Sequence, residues 1–236
     1  MNIFKGAVVC GILLLNTACS TIPTDSLTNE EAVALEGKAL TYSQYDELPD
    51  FPAQTALNVQ FGLLGVLSAI ESGNTILENN QISDPALDIA KDLAKGIEEN
   101  YDVNIIENDK VISVDAGLSD VVAAYDEYDY VVDVKTTGWG SIYYLEDWDN
   151  YKLSYGAHAR LIDVKEKEVV VEVQCFTQPA YDDSNEGPSY EQLENGEGLK
   201  KEIARAVEIC VDYIVEQGQL RQQETNQPVE ALADNH

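Results

Sequence analysis

Residues 128–176 constrain the fold more than any other stretch, because they hold three runs of alternating apolar and polar residues joined by turns. A period of two marks strands with one buried face, so the stretch reads as a three-stranded antiparallel meander. In the first run Tyr128, Tyr130, Val132 and Val134 share one face, and Val131, Asp133, Lys135 and Thr137 the other. The second sets Tyr151, Leu153, Tyr155, Ala157, Ala159 and Leu161 against Lys152, Ser154, Gly156, His158 and Arg160. The third sets Val169, Val171, Val173 and Cys175 against Glu168, Val170, Glu172 and Gln174, with Lys165 to Lys167 as the turn before it.

A sheet with one core face needs helices to cover it. The longest candidate runs from Tyr190 to Gln217, interrupted early by Gly196 and Gly198, with the apolar stripe Leu199, Ile203, Val207, Cys210 and Ile214. Asp84-Pro85 is a capped helix start, and Leu87, Ala90, Leu93, Ala94 and Ile97 mark the apolar face of a helix ending near Asn100. A short helix follows Ser119 or Asp120, and further strands are expected within Glu36 to Tyr45, Val103 to Ile106 and Val111 to Val114. The expected fold is α+β: a single α/β sandwich in which the meander of residues 128–176 is packed by helices, including a long C-terminal one. This domain is expected over residues 36–217, after a polar tether at 19–35 and before a disordered, Gln-, Asn- and acid-rich tail at 218–236.

The run from Phe61 to Ile70 is apolar and uncharged. As a helix it would be ~15 Å long, half a bilayer core. A buried core helix is the first expectation for it; a hydrophobic element that meets a membrane or a partner is the other.

Lys5, an apolar run from Gly6 to Leu15, and the small residues Thr17 and Ala18 before Cys19 form a secretory leader over residues 1–18. The end of this leader resembles the bacterial lipobox, although Asn16 stands where that pattern carries an aliphatic or small residue. The resemblance implies cleavage before Cys19 and its acylation, and Ser20 after it resembles lipoproteins passed on to the outer membrane. Losing the leader removes one Lys, leaving 14 − 1 = 13 basic residues against 43 acidic. So acidic a chain excludes nucleic acid as a partner and is repelled by anionic headgroups, so that membrane attachment falls to the lipid on Cys19. Of the four cysteines, Cys10 leaves with the leader and Cys19 is the lipid site. Cys175 and Cys210 lie on the apolar faces of a strand and of the helix expected to cover it, which suggests a disulfide between them in an oxidising compartment; two buried thiols are the alternative.

The outer face of the meander gathers Lys135, Lys152, His158 and Arg160, which could dock an anionic group or pair with Asp133 and Glu172 on the same face. Trp139, Tyr143, Tyr144 and Trp148 fall within ten residues, read as a loop that stacks on sugars, anchors a partner or caps the sheet. Asp182, Ser184, Glu186 and Gly187 echo the start of a calcium loop, but Leu193 holds the twelfth place, where a bidentate Glu is needed, so no metal is expected. No cofactor is expected either. His158 is the one histidine away from the C-terminal tail, and no nucleophile elbow, His-Glu-x-x-His or paired-cysteine motif occurs.

The stretches ESGNTILENNQISDPALDIA, YDYVVDVKTTGWGSIYY and DWDNYKLSYGAHARLIDV, with the two late cysteines, resemble a group of uncharacterised bacterial lipoproteins over roughly residues 36–215. In element order the chain is also similar to the small envelope domains of the CsgG, LpoB and TolB N-terminal kind, which bind other envelope proteins. The resemblance implies a non-enzymatic periplasmic lipoprotein, anchored to the outer membrane through Cys19, that binds or scaffolds an envelope component. A peptidoglycan-binding module or glycan-acting enzyme is the alternative.

Overall fold

The structure is a computed structural model that describes residues 24–222. The leader, Cys19 and the tail beyond residue 222 lie outside the described residues. Six strands and six α-helices follow in the order α1 (Asn29–Ala34), β1 (Ala39–Tyr42), β2 (Ala53–Gln54), α2 (Gly62–Asn79), α3 (Pro85–Tyr101), β3 (Asn104–Ile105), α4 (Leu118–Ala124), β4 (Tyr130–Tyr144), β5 (Asp147–Asp163), β6 (Glu168–Thr177), α5 (Tyr190–Glu194) and α6 (Glu197–Gln217). They form one mixed sheet in the order β3-β1-β4-β5-β6, with β2 pairing β4 farther along. The pairs β4–β5 and β5–β6 are antiparallel, as expected of the meander; β1 and β2 pair parallel to the start and the end of β4.

Helices α3 and α6 cover one face, where Leu93, Ile97, Leu199 and Ile214 meet Val132, Leu153, Leu161 and Val173. Helix α4 covers part of the reverse face through Val121, Val122 and Tyr125 against Val131, Ile162 and Val164. Asp84 caps α3 with its carboxylate on the Ala86 N–H, 2.9 Å away. The break between α5 and α6 falls at Gly196, whose φ of 79° suits glycine and where a Cβ would stand 2.4 Å from the Asn80 side chain. Cys210 of α6 is bonded to Cys175 of β6, their Cα atoms 5.6 Å apart, so the helix is tied covalently to the sheet.

Two register shifts alter the expected faces. Thr136 pairs with Ala157 and Gly138 with Gly156, leaving Thr137 as an extra residue in β4. The buried face therefore passes from Tyr130, Val132, Val134 and Thr136 to Trp139 and Ser141. A second shift between Leu161 and Ile162 leaves Val170 unpaired in β6, so that Val170 leans on the main core and Val169 on the α4 side. Tyr128, expected beside Tyr130, precedes the strand and packs with α4. Residues 139–148, expected as a loop, are instead the ends of β4 and β5 joined by the two-residue turn Leu145-Glu146.

The expected tether and tail are also corrected where they are described. Asp25 pairs with Glu172, Leu27 and Leu35 are buried, and the Leu27 N–H donates to the Gly218 carbonyl at 2.9 Å. Leu220 is buried beyond the end of α6. Apolar side chains in otherwise polar stretches decide this, since Leu27, Leu35 and Leu220 have core surface within reach.

Candidate docking surface

The cations of the sheet's outer face are held internally. Asp133, 1 % exposed, accepts from Ser43 Oγ and Tyr45 Oη, each at 2.7 Å, and from Arg160 Nε and Nη2 at 2.9 and 2.6 Å. Burial, with the Asp133 carboxylate beside it, pushes the Tyr45 hydroxyl far above the usual tyrosine range, so it stays a donor. His158 Nε2 lies 2.7 Å from Glu172 Oε1. Lys135 donates to the Val114 carbonyl and covers the Tyr45 ring, and Lys152 lies over the Tyr144 ring. The structure thus brings Lys135, His158 and Arg160 together as expected, but as a cross-strand network that spends their donors within the fold.

The four aromatic residues separate. Trp139 is buried edge-on against Phe51, ring centres 5.1 Å apart, and its Nε1 donates to the Pro49 carbonyl at 2.8 Å. Tyr144 is buried, its hydroxyl accepting from the Tyr181 N–H. Tyr143 is half-buried beneath Trp148, at 6.4 Å between ring centres, and only Trp148 stands out, 63 % exposed.

Among the described residues the densest run of exposed large apolar side chains lies elsewhere, on the first half of α2 and the 3-10 turn before it. Leu57, Phe61, Leu63, Leu64, Val66 and Leu67 are all at least half exposed, with Leu63 and Leu64 at 75 %. This corrects the expectation of a core helix. Only small residues face the body there: a Cβ on Gly65 would stand 1.7 Å from the Asn58 carbonyl oxygen, and one on Gly73 1.5 Å from that of Phe51. Asn58 holds the strap beneath by accepting from the Thr55 N–H and donating to the Ala53 carbonyl; Asn74 accepts from the Phe51 N–H. Large core contacts begin at Ile76 and Leu77. The first half of α2 is therefore a prong, close-fitted by glycine on one side and bare and apolar on the others. Residues 51–70 contain no charged side chain in a chain of net charge −29. Contiguous water-facing leucines on this scale are rare on monomeric soluble proteins.

Among the described residues no cluster of His, Cys, Asp or Glu could hold a metal ion, and no helix is long and apolar enough to cross a membrane. Fold and surface together define a disulfide-tied α+β domain with an apolar prong and a sheet face whose polar groups are bonded to one another. No family model matches the chain, and no curated protein is significantly similar to it. Among solved structures it is similar to the PelC dodecamer of Paraburkholderia phytofirmans, at 17 % identity over 86 % of this chain and 99 % of that one, with a TM-score of 0.37. A Xanthomonas campestris protein labelled DUF330 is 12 % identical over 84 % and 94 % of the two chains, TM-score 0.39. A Neisseria meningitidis lipoprotein is 10 % identical over 76 % and 99 %, TM-score 0.28. At these values the likenesses carry no functional argument.

Proposed function

We propose that the chain is a periplasmic lipoprotein without catalytic activity, anchored to the outer membrane through Cys19, whose domain binds a component of the cell envelope through the α2 prong. The observation that carries the docking role is the pair Leu63 and Leu64, each 75 % exposed on a charge-free segment. Leaving a leucine in water forgoes ~1.5–3 kcal/mol that burial would supply, so a partner gains most by covering this helix end. The leader ending at Cys19 and the Cys175–Cys210 disulfide support an exported, oxidising address. The glycan reading retains only Trp148 as an exposed member of its four aromatics, and a lone ring is a poor sugar platform.

The test is chemical crosslinking of the full chain in intact cells, wild type against Leu63→Glu/Leu64→Glu, with the intact mass of the extracted chain measured alongside. Crosslinked species present in wild type and missing from the variant, on a mass beginning at acylated Cys19, are the expected result. Identical crosslinks from both chains, or an unacylated mass, would sink the docking role and the anchor respectively.

A further inference from the structure

We infer that the prong is received by a second copy of this chain, in an apolar groove at the other end of its sheet; this rests on the docking role proposed above. The groove, about 570 Å³, lies between α4 and the β5–β6 turn, lined by Leu118, Val122, Ala123 and Val164 with Lys165 and Lys167 on its rim. Asp126 also lines it, its backbone carbonyl accepting from Lys165 Nζ at 2.9 Å.

Position, shape and charge each support this occupant. Helix α4 packs on Val131 near the start of β4, whereas the prong rises from β2, which pairs with Ser141 and Ile142 near its end. Ten residues of strand separate the two sites, ~30 Å at about 3.3 Å per residue, so a copy cannot fill its own groove. A helix end apolar on several sides needs a surface that encloses it, and a groove does so where a flat face does not. Two copies of net charge −29 repel almost everywhere. The contact that costs least sets the uncharged segment 51–70 of one copy against a site where Lys165 and Lys167 outnumber the one acidic lining residue, Asp126. Prong and groove are different surfaces, so two copies can exchange prongs reciprocally about a two-fold axis, or pass them head to tail around a ring or along a filament.

The test uses two differently tagged full-length copies in one cell, Leu64→Cys in the first and Ala123→Cys in the second; both positions are exposed. Mild oxidation is expected to give a reducible adduct carrying both tags, absent when either cysteine is missing and lost when Leu63→Glu is added to the first copy. No such adduct, or an equal adduct between two Leu64→Cys copies, overturns the inference. Flotation of the purified full chain with phosphatidylethanolamine–phosphatidylglycerol vesicles, dependent on Leu63 and Leu64 and without the adduct, moves the occupant to lipid and likewise overturns it. In the absence of the adduct, crosslinks to other components that still require Leu63 and Leu64 would leave the docking role standing while self-association falls. If nothing depends on those leucines, both fall.

Discussion

Reducing the Cys175–Cys210 disulfide removes a constraint whose size follows from the topology alone. The two cysteines are 35 residues apart in sequence. In the chain-entropy description the bond lowers the entropy of the unfolded chain by 2.1 + 1.5R ln 35, about 12.7 cal/mol/K, or ~3.8 kcal/mol at 25 °C. The closed loop holds the end of β6 from Cys175, the loop after it, α5 and two thirds of α6, so an unfolded chain without the bond gains freedom in both a strand and the helix that covers it. Both sulfur positions are buried, which adds a native-state cost when one bond becomes two thiols needing more room. Urea unfolding of the oxidised and the reduced domain should therefore show a stability loss of about 4 kcal/mol. The m-value should also rise on reduction, because the freed unfolded chain exposes more surface. A loss under about 1 kcal/mol, or none in the presence of a reductant shown by thiol counting to have opened the bond, would refute this account of how α6 is held to the sheet.

Trp139→Ala should cost about 3–5 kcal/mol, since it empties a buried site against Phe51 and leaves the Pro49 carbonyl unpaired. Trp148→Ala should change stability by less than about 1 kcal/mol; thermal melts of the two variants check both, and equal losses would contradict the placement of these rings. Asp133→Ala should cost roughly 3–5 kcal/mol by stranding Arg160, while Asp133→Ala with Arg160→Met should cost less than the single change, the reverse of additivity. Burial raises the Asp84 carboxyl above its usual value despite hydrogen bonds from Thr136 and the Ala86 N–H. Its folded value exceeds the unfolded value of ~3.9, so the stability it contributes is present below that pH and is lost as pH rises through the folded value. Asp84→Asn, which keeps the acceptor and cannot ionise, should lack that fall and match or exceed wild type at neutral pH. Asp84→Ala should lose about 1 kcal/mol of capping, with urea midpoints between pH 4 and 8 as the readout.

Most of the sheet was legible because its two faces differ so sharply in chemistry. In β5 every second residue from Tyr151 to Leu161 is apolar and buried, and no register but one keeps all six inside. The disulfide was legible for a related reason: Cys175 and Cys210 lay on two apolar stripes that must face each other if the helix covers the sheet. What alternation could not supply was the parity change at Thr137 and at Val170. A single extra residue turns Trp139 from the outer face to the core, and its neighbours Gly138 and Gly140 made the segment look like a loop. Gly140 serves another purpose, since a Cβ there would stand 3.0 Å from the Pro52 carbonyl oxygen, where the chain leading into β2 runs alongside. That approach joins residues 88 apart and leaves no mark on local periodicity.

The prong shows where hydropathy misleads and what would have corrected it. An uncharged apolar run of ten residues has the composition of a core helix, and composition is blind to direction. In α3 the residues that meet the core, Ile89, Leu93 and Ile97, are large, as a buried stripe requires. In α2 the equivalent stripe at the same spacing is Gly65, Ala69 and Gly73, and the large residues lie on the remaining sides. A stripe of small residues brings a backbone close to its neighbour and buries little apolar area there, so the leucines around it find no partner within the fold. That inversion is present in the sequence: small residues at i, i+4 and i+8, large ones between, and no charge nearby. Read this way, residues 61–73 describe a helix that fits the body by contour and leaves its large apolar side chains facing outward. Exchanging the two sets would bury the leucines only by driving a side chain through the carbonyls of Phe51 and Asn58, so the exposure is built into the backbone and is not an accident of one rotamer.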